Sequence, residues 1–225
     1  MLQVRRVCKT YRKDGRAVVA ADALSLDVSE GDLVVVHGPS GSGKSTLLMM
    51  IGGMLPPDSG AILYDSADIY RWSPSRRNRY RRQTVGFVFQ RFFLMPYLSV
   101  YDNIRMPLAL AGRSGHREKV AALAERLRID HRLAHKAGQL SVGELQRAAV
   151  ARALVGEQRL ILADEPTGNL DETNIEIVGQ CLKEESARGR IVVLVTHSRS
   201  LLDLGTRRVR IENGRLDAHD EGQAP

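Results

Sequence analysis

"GPSGSGKST", residues 38–46, decides the fold of this 225-residue chain. It fits G-x-x-x-x-G-K-[ST] and stands between an aliphatic run, "LVVVH" (33–37), and a helix-like run, "STLLMMIGG" (45–53). A pattern with those flanks is a phosphate loop. Its glycines let the backbone wrap an anion with N–H groups, and the helix that follows adds the partial positive charge of its amino end. Gly38, Pro39, Ser40, Gly41, Ser42, Gly43, Lys44, Ser45 and Thr46 are therefore assigned to nucleotide binding. Lys44 is expected to reach the β- and γ-phosphates as a point charge, and Ser45 to offer its hydroxyl to Mg²⁺.

A second aliphatic run ends in acids. "RLILADEPTGNLD" (159–171) reads as a buried strand that delivers Asp164 beside the phosphate loop, where it would hold Mg²⁺ through water. Glu165, the next residue, can face the γ-phosphate and polarise a water. Together the two stretches indicate nucleoside triphosphate hydrolysis. Two more runs, "VGFVF" (85–89) and "IVVLVTH" (191–197), complete the set. Continuous aliphatic runs, rather than alternating ones, belong to a parallel sheet covered on both faces. Gln90 follows the first of these runs and His197 closes the second. Ligands bind at the carboxyl ends of parallel strands, so His197 is expected at the edge that carries Lys44 and Asp164. The Gln90 amide would ligate Mg²⁺ or orient the attacking water, with a purely structural role as the alternative for a lone Gln. A lone His likewise reads as a packed or surface imidazole.

Residues 2–28 alternate weakly, as amphipathic strands do, and Asn213-Gly214 within "IENGRL" is a two-residue hairpin turn. "REKVAALAERLRI" (117–129) and "GELQRAAVARALV" (143–155) place apolar residues at helical spacing. The stretch from about 100 to 155 thus forms a helical insert between strands.

Composition bounds the function. Apolar residues make up 43% and aromatics only 5%, an aliphatic α/β core rather than a sandwich or a disordered chain. Cys8 and Cys181 make no CxxC or metal spacing and read as two reduced cytosolic thiols. There is no charged-then-apolar amino-terminal signal, and no stretch nears the ~18 apolar residues of a membrane span. The chain is expected to be soluble and to act at a membrane through a partner. The net charge is +7, much of it in "RWSPSRRNRYRR", Arg71 to Arg82. That run reads first as a solvated helix face, with anionic lipid headgroups as the alternative, and no specific nucleic acid is expected.

In this order the motifs resemble those of the ATP-binding subunits of ABC transporters over nearly the whole chain. The order is phosphate loop (38–46), Gln90, a signature stretch (140–144), Asp164-Glu165, Asp171 in "GNLD", and His197. "DEPTGNLD", "GFVFQRFFLMPYLSVYDNI" and "GPSGSGKSTLL" look most like one branch. It holds the lipoprotein-releasing (LolD-like), macrolide-exporting (MacB-like) and cell-division (FtsE-like) ATPases. The resemblance implies an α/β fold: a P-loop NTPase (RecA-like) core with a parallel sheet, an antiparallel β-subdomain and an inserted α-helical subdomain. It implies a single domain over 1–225, with the helical subdomain at about 91–155 and a polar tail at 217–225.

The resemblance also implies roles. Two subunits would pack head to tail as a homodimer around two ATP, each ATP held by the phosphate loop of one subunit and the signature of the other. Tyr11 matches the aromatic residue that stacks on adenine, Glu165 the general base, His197 the γ-phosphate switch and Asp171 the residue that reports across the dimer. Ser198 follows His197 where the family usually has Asp, a change of little expected consequence. "RFFLMPYL" (91–98) is apolar for a loop and reads as internal packing or, preferably, as a groove for an integral membrane subunit docking near Phe92–Leu98. The subunit would then lie on the cytoplasmic face of the inner membrane, against its inner leaflet. Transport of the lipoprotein-release or macrolide-export type is the favoured function. The alternative is a non-transport, signal-transmitting role of the cell-division type.

One departure stands out. "LSVGE" (140–144) has Val142 where the family form, LSGGQ or LSGGE, has glycine. The phosphate contacts expected across the dimer are the Ser141 hydroxyl and the Gly143 N–H, and both are kept. Val142 would matter only if its position required φ > 0, where a β-branched residue is strained.

Overall fold

The computed structural model describes residues 1–112, 116–168 and 170–217; the expected polar tail, beyond Asp217, lies outside the described residues. From the amino terminus run β1 (Leu2–Lys13), β2 (Arg16–Val28), β3 (Leu33–His37), α1 (Lys44–Ile51), β4 (Ser59–Tyr64), β5 (Ala67–Asp68), α2 (Pro74–Gln83) and β6 (Val85–Val88). There follow α3 (Val100–Leu110), α4 (His116–Arg126), α5 (Val142–Leu154), β7 (Leu160–Asp164), α6 (Glu172–Ala187), β8 (Ile191–Val195), α7 (Arg199–Leu202), β9 (Arg207–Glu212) and β10 (Arg215–Leu216).

The strands make two sheets. An antiparallel one is ordered β2-β1-β4-β5, and a larger one β10-β9-β3-β8-β7-β6. In the larger sheet β9, β3, β8, β7 and β6 are mutually parallel, and β10 pairs antiparallel at the edge across the Asn213-Gly214 turn. Both turn residues take positive φ, 50° and 77°, as that hairpin requires.

The continuous aliphatic runs have a direct cause. Alternate residues of each central strand enter two different cores. Val34, Val36, Leu162 and Val193 pack with α1 and the antiparallel sheet, through Leu47, Ile51, Leu2 and Ile62. Leu33, Val35, Ile161 and Leu194 pack on the other face with the helical layer, through Ile104, Leu123, Ala148 and Leu182. With both faces dry, no position in the strand is left for a polar residue.

Helix ends follow local chemistry. Ser73 caps α2 just ahead of Pro74, and Ser99 caps α3 by accepting from the Asp102 N–H. From Pro74 on the basic run forms α2, with Tyr80 its buried residue. α4 stops at Arg126, short of the expected 129. Arg128 takes a left-handed φ of 52°, and the Ile129 N–H turns back to the Ala124 carbonyl. Within the expected insert, helix begins only at Val100, and residues 91–98 form a loop. Among the described residues no helix is long and apolar enough to cross a membrane.

Candidate functional site

β3 brings the chain to Gly38, and α1 takes it away from Lys44. Two points of the intervening loop admit only glycine. A Cβ on Gly38 (φ 140°) would stand 2.0 Å from the Ile211 carbonyl oxygen, and one on Gly43 (φ 105°) 1.9 Å from that of Ala20. Gly43 also caps α1 without a side chain, so no side-chain oxygen covers the first N–H groups of that helix. The buried Lys44 ammonium donates to the carbonyls of Gly38 (2.9 Å) and Pro39 (2.7 Å) and lies 3.4 Å from Ser42 Oγ. Burial pulls its pKa below the ordinary lysine value, and the negative charges of Glu165 and Asp164 oppose that shift. Tyr11, exposed on β1, places its hydroxyl 3.5 Å from Thr46 Oγ1, at the start of α1.

The parallel register levels the strand ends. Val195 lies opposite both Val36 and Asp164, and Val88 opposite Ala163. Ser45 Oγ donates to Asp164 Oδ1 at 2.9 Å, joining residues 119 apart in sequence. Burial raises the Asp164 pKa, against the Ser45 hydrogen bond and the Lys44 charge. A hydroxyl and a buried carboxylate form an all-oxygen set suited to a hard cation such as Mg²⁺. Among the described residues no cluster of three His, Cys, Asp or Glu forms a metal cage.

Glu165 follows Asp164 with a left-handed φ of 45°, a strained conformation for its type. Its Oε1 is 3.0 Å from His197 Nε2, in ion-pair reach but without an aligned hydrogen bond. Its Oε2 accepts from the His197 backbone N–H at 3.3 Å. Burial raises the Glu165 pKa, and His197 is the largest influence pulling it back. Gln90 is exposed two residues past Val88, at the same sheet edge.

Ser141, Gly143 and Asp171 form a second cluster, where α5 and α6 begin. Ser141 caps α5 in a reciprocal box: its Oγ accepts from the Glu144 N–H (3.3 Å), and Glu144 Oε2 accepts from the Ser141 N–H (2.8 Å). Asp171 caps α6, accepting from the Asn174 N–H (2.8 Å) and Nδ2 (2.7 Å). A Cβ on Gly143 would come within 2.9 Å of that Asn174 amide. Val142 is the first residue of α5; it is exposed and not among the residues with positive φ, so its side chain strains nothing.

The sequence reading missed the supports. Arg132 Nε donates to Glu144 Oε1 at 2.7 Å. Hydrogen bonds from Ser141 and Arg132 overcome burial and hold the Glu144 carboxyl at about 2. Asn174 closes the contact between α5 and α6. An Arg in a short polar helical turn and an Asn in the first turn of α6 carry no sequence signal for either role.

Residues 21–168 match the protein family described as "ABC transporter". The chain is 40% identical to the lipoprotein-releasing system ATP-binding protein LolD of Hyphomonas neptunium, over 96% of each chain. It is 41% identical to an uncharacterized ABC transporter ATP-binding protein of Mycobacterium tuberculosis, but over only 64% of that protein's length. It is 36% identical to the macrolide export ATP-binding/permease protein MacB of Brucella melitensis, spanning 34% of it. Its fold superposes on the dimeric MJ0796 bacterial ABC transporter cassette with a TM-score of 0.93 at 34% identity, covering 100% of this chain and 99% of that one. A post-hydrolysis state of the same cassette, bound to ADP and Pi, gives 0.92 at 33% identity, with the same coverage. Family match, relatives and fold agree with the geometry of the phosphate loop and the Asp164-Glu165 strand end: the chain belongs to the ABC transporter family, among its ATP-binding cassettes.

Proposed function

We propose that this chain binds and hydrolyses ATP as a single ABC ATP-binding domain, works as a head-to-tail homodimer, and drives an integral membrane partner of the lipoprotein-release or macrolide-export type. The observation that carries the reading is the Ser45–Asp164 hydrogen bond beside Lys44, with Glu165 and His197 next along the same edge. The likeness to LolD over 96% of both chains supports the branch.

ATP brings about four negative charges to a site whose donors are already in place. Lys44 would leave its loop carbonyls for the β- and γ-phosphates, and the N–H groups that open α1 would cradle the same oxygens. Tyr11, above Thr46, would stack on adenine. Ser45 and Asp164, with Gln90, would hold Mg²⁺, which when bound neutralises charge building on the phosphate oxygens. Glu165, with its proton affinity raised by burial, is suited to take a proton from the attacking water. His197, beside it, would contact the γ-phosphate. A second copy would supply Ser141 Oγ and the Gly143 N–H at the amino end of its α5, while Asp171 would signal between the halves. ATP thus closes the interface, and phosphate loss opens it.

The partner would dock on the 91–98 loop. Phe93 (59%) and Tyr97 (70%) are strongly exposed there, which favours a docking face over internal packing. Phe87, Met106 and Pro107 line an adjoining groove of about 570 Å³ rimmed by Arg81 and Arg82. Docking would hold α2 near the inner leaflet of the membrane. Co-purification tests the reading: a membrane subunit with a large extracytoplasmic domain and a lipid or peptide cargo is expected, and a partner that controls a cell-wall hydrolase would replace transport with signalling.

A further inference from the structure

α5 joins two places with different tasks. Ser141 stands at its start and Arg152 in its last turn, about 16 Å apart at 1.5 Å per residue. The Arg152 guanidinium crosses to the 91–98 loop: Nη1 donates to the Phe93 carbonyl, and Nη2 to the Phe92 carbonyl at 2.7 Å. One planar fork therefore grips two successive peptide groups, only two and three residues past Gln90. Burial lowers the Arg152 pKa. The two carbonyls and the negative end of α5 are what balance its charge.

The gripped backbone is not relaxed. Phe93 has φ 46°, a left-handed conformation that is an outlier for a bulky residue. Such strain persists only where the surroundings over-determine it. Here the Arg152 fork holds the carbonyl, while the Phe93 ring meets Phe89 edge-on (5.3 Å), itself stacked on Phe87 of β6 (4.2 Å). The outcome is an outward-facing aromatic ring on a loop bolted to the far end of the signature helix.

We propose that Arg152 is a positioning residue that couples α5 to the 91–98 loop, so that a tilt imposed at Ser141 reaches the exposed faces of Phe93 and Tyr97. This rests on the reading of Ser141 and Gly143 as the phosphate clamp for a second copy. The fork makes the link stiff in both directions, because moving either the helix or the loop must break two hydrogen bonds to a partly buried cation.

Hydrogen exchange of the full chain tests the link, in a Glu165→Gln background that holds ATP. In that parent, ATP-driven dimerisation is expected to slow exchange across 91–98 severalfold. Adding Arg152→Gln should abolish this response while light scattering still reports the ATP-dependent dimer. Arg152→Lys keeps the charge but cannot span both carbonyls, and it carries the same test if Arg152→Gln fails to fold. A merely structural staple would raise exchange equally with and without ATP. A dimer whose loop response is absent in the parent, or survives Arg152→Gln and Arg152→Lys, overturns the coupling alone. Absence of any ATP-dependent dimer in the parent overturns the clamp reading, and the coupling with it.

Discussion

Glu165 Oε1 lies 3.0 Å from His197 Nε2, and the two residues stand just beyond the ends of the neighbouring parallel strands β7 and β8. The pair sets an acid whose proton affinity burial raises against an imidazole that lowers it. Glu165→Gln is therefore expected to cut ATP turnover by about 10²–10⁴, the span of a lost general base. ATP binding should persist and a dimer accumulate, read by steady-state hydrolysis, nucleotide titration and light scattering.

The same pair has a pH signature. A base works ionised, so turnover should rise with pH through the Glu165 pKa, which burial places above the ordinary glutamate value. His197→Ala removes the influence that lowers it. The acid limb of the residual activity should then move to higher pH; a limb that stays put or moves down would refute the coupling.

Lys44→Ala deletes the cation held by the Gly38 and Pro39 carbonyls. A charge-assisted hydrogen bond contributes about 1.5–3 kcal/mol. ATP affinity should fall by about tenfold to a hundredfold in calorimetry, with little change in melting temperature without nucleotide.

Gly43→Ala tests the loop's packing. The added methyl would meet the Ala20 carbonyl at 1.9 Å, in a backbone with φ 105°. Thermal unfolding should show a loss of a few kcal/mol, about the range for strain at a special backbone position. Nucleotide binding should weaken with it.

Val142 and Gly143 should behave oppositely. Val142 is exposed at a helix start. Val142→Gly should cost less than about 1 kcal/mol by helix propensity, with turnover unchanged. Gly143→Ala pushes a methyl onto the Asn174 amide at 2.9 Å. It should impair ATP-dependent dimerisation while leaving ATP affinity of the single chain intact.

The sequence made the strand ends legible because each strand is dry on both faces and stops at a polar residue. His37 and Asp164 were readable that way, whereas the run expected to close on His197 leaves the sheet at Val195; the glycine loop was readable because its chemistry is local. The region before Val100 was not readable in the same way. Residues 91–98 are the apolar loop that the sequence suggested, but the placement of its exposed rings comes from tertiary neighbours, Arg152 and Phe89. The end of α4 was misplaced because Arg128 adopts a conformation that glycine usually takes.

By itself, then, the sequence determined the order of motifs, the parallel aliphatic core and the phosphate loop, all set by short-range pattern. Tertiary structure decided what those motifs touch. It brought Ser45 to Asp164 across 119 residues and Tyr11 to Thr46 across 35, and set Arg132 under the Ser141 cap and Arg152 over the Phe92 and Phe93 carbonyls. The reason is physical. A hydrogen bond needs placement within a few tenths of an ångström, and that comes from strand register and helix packing, which no local run of residues encodes.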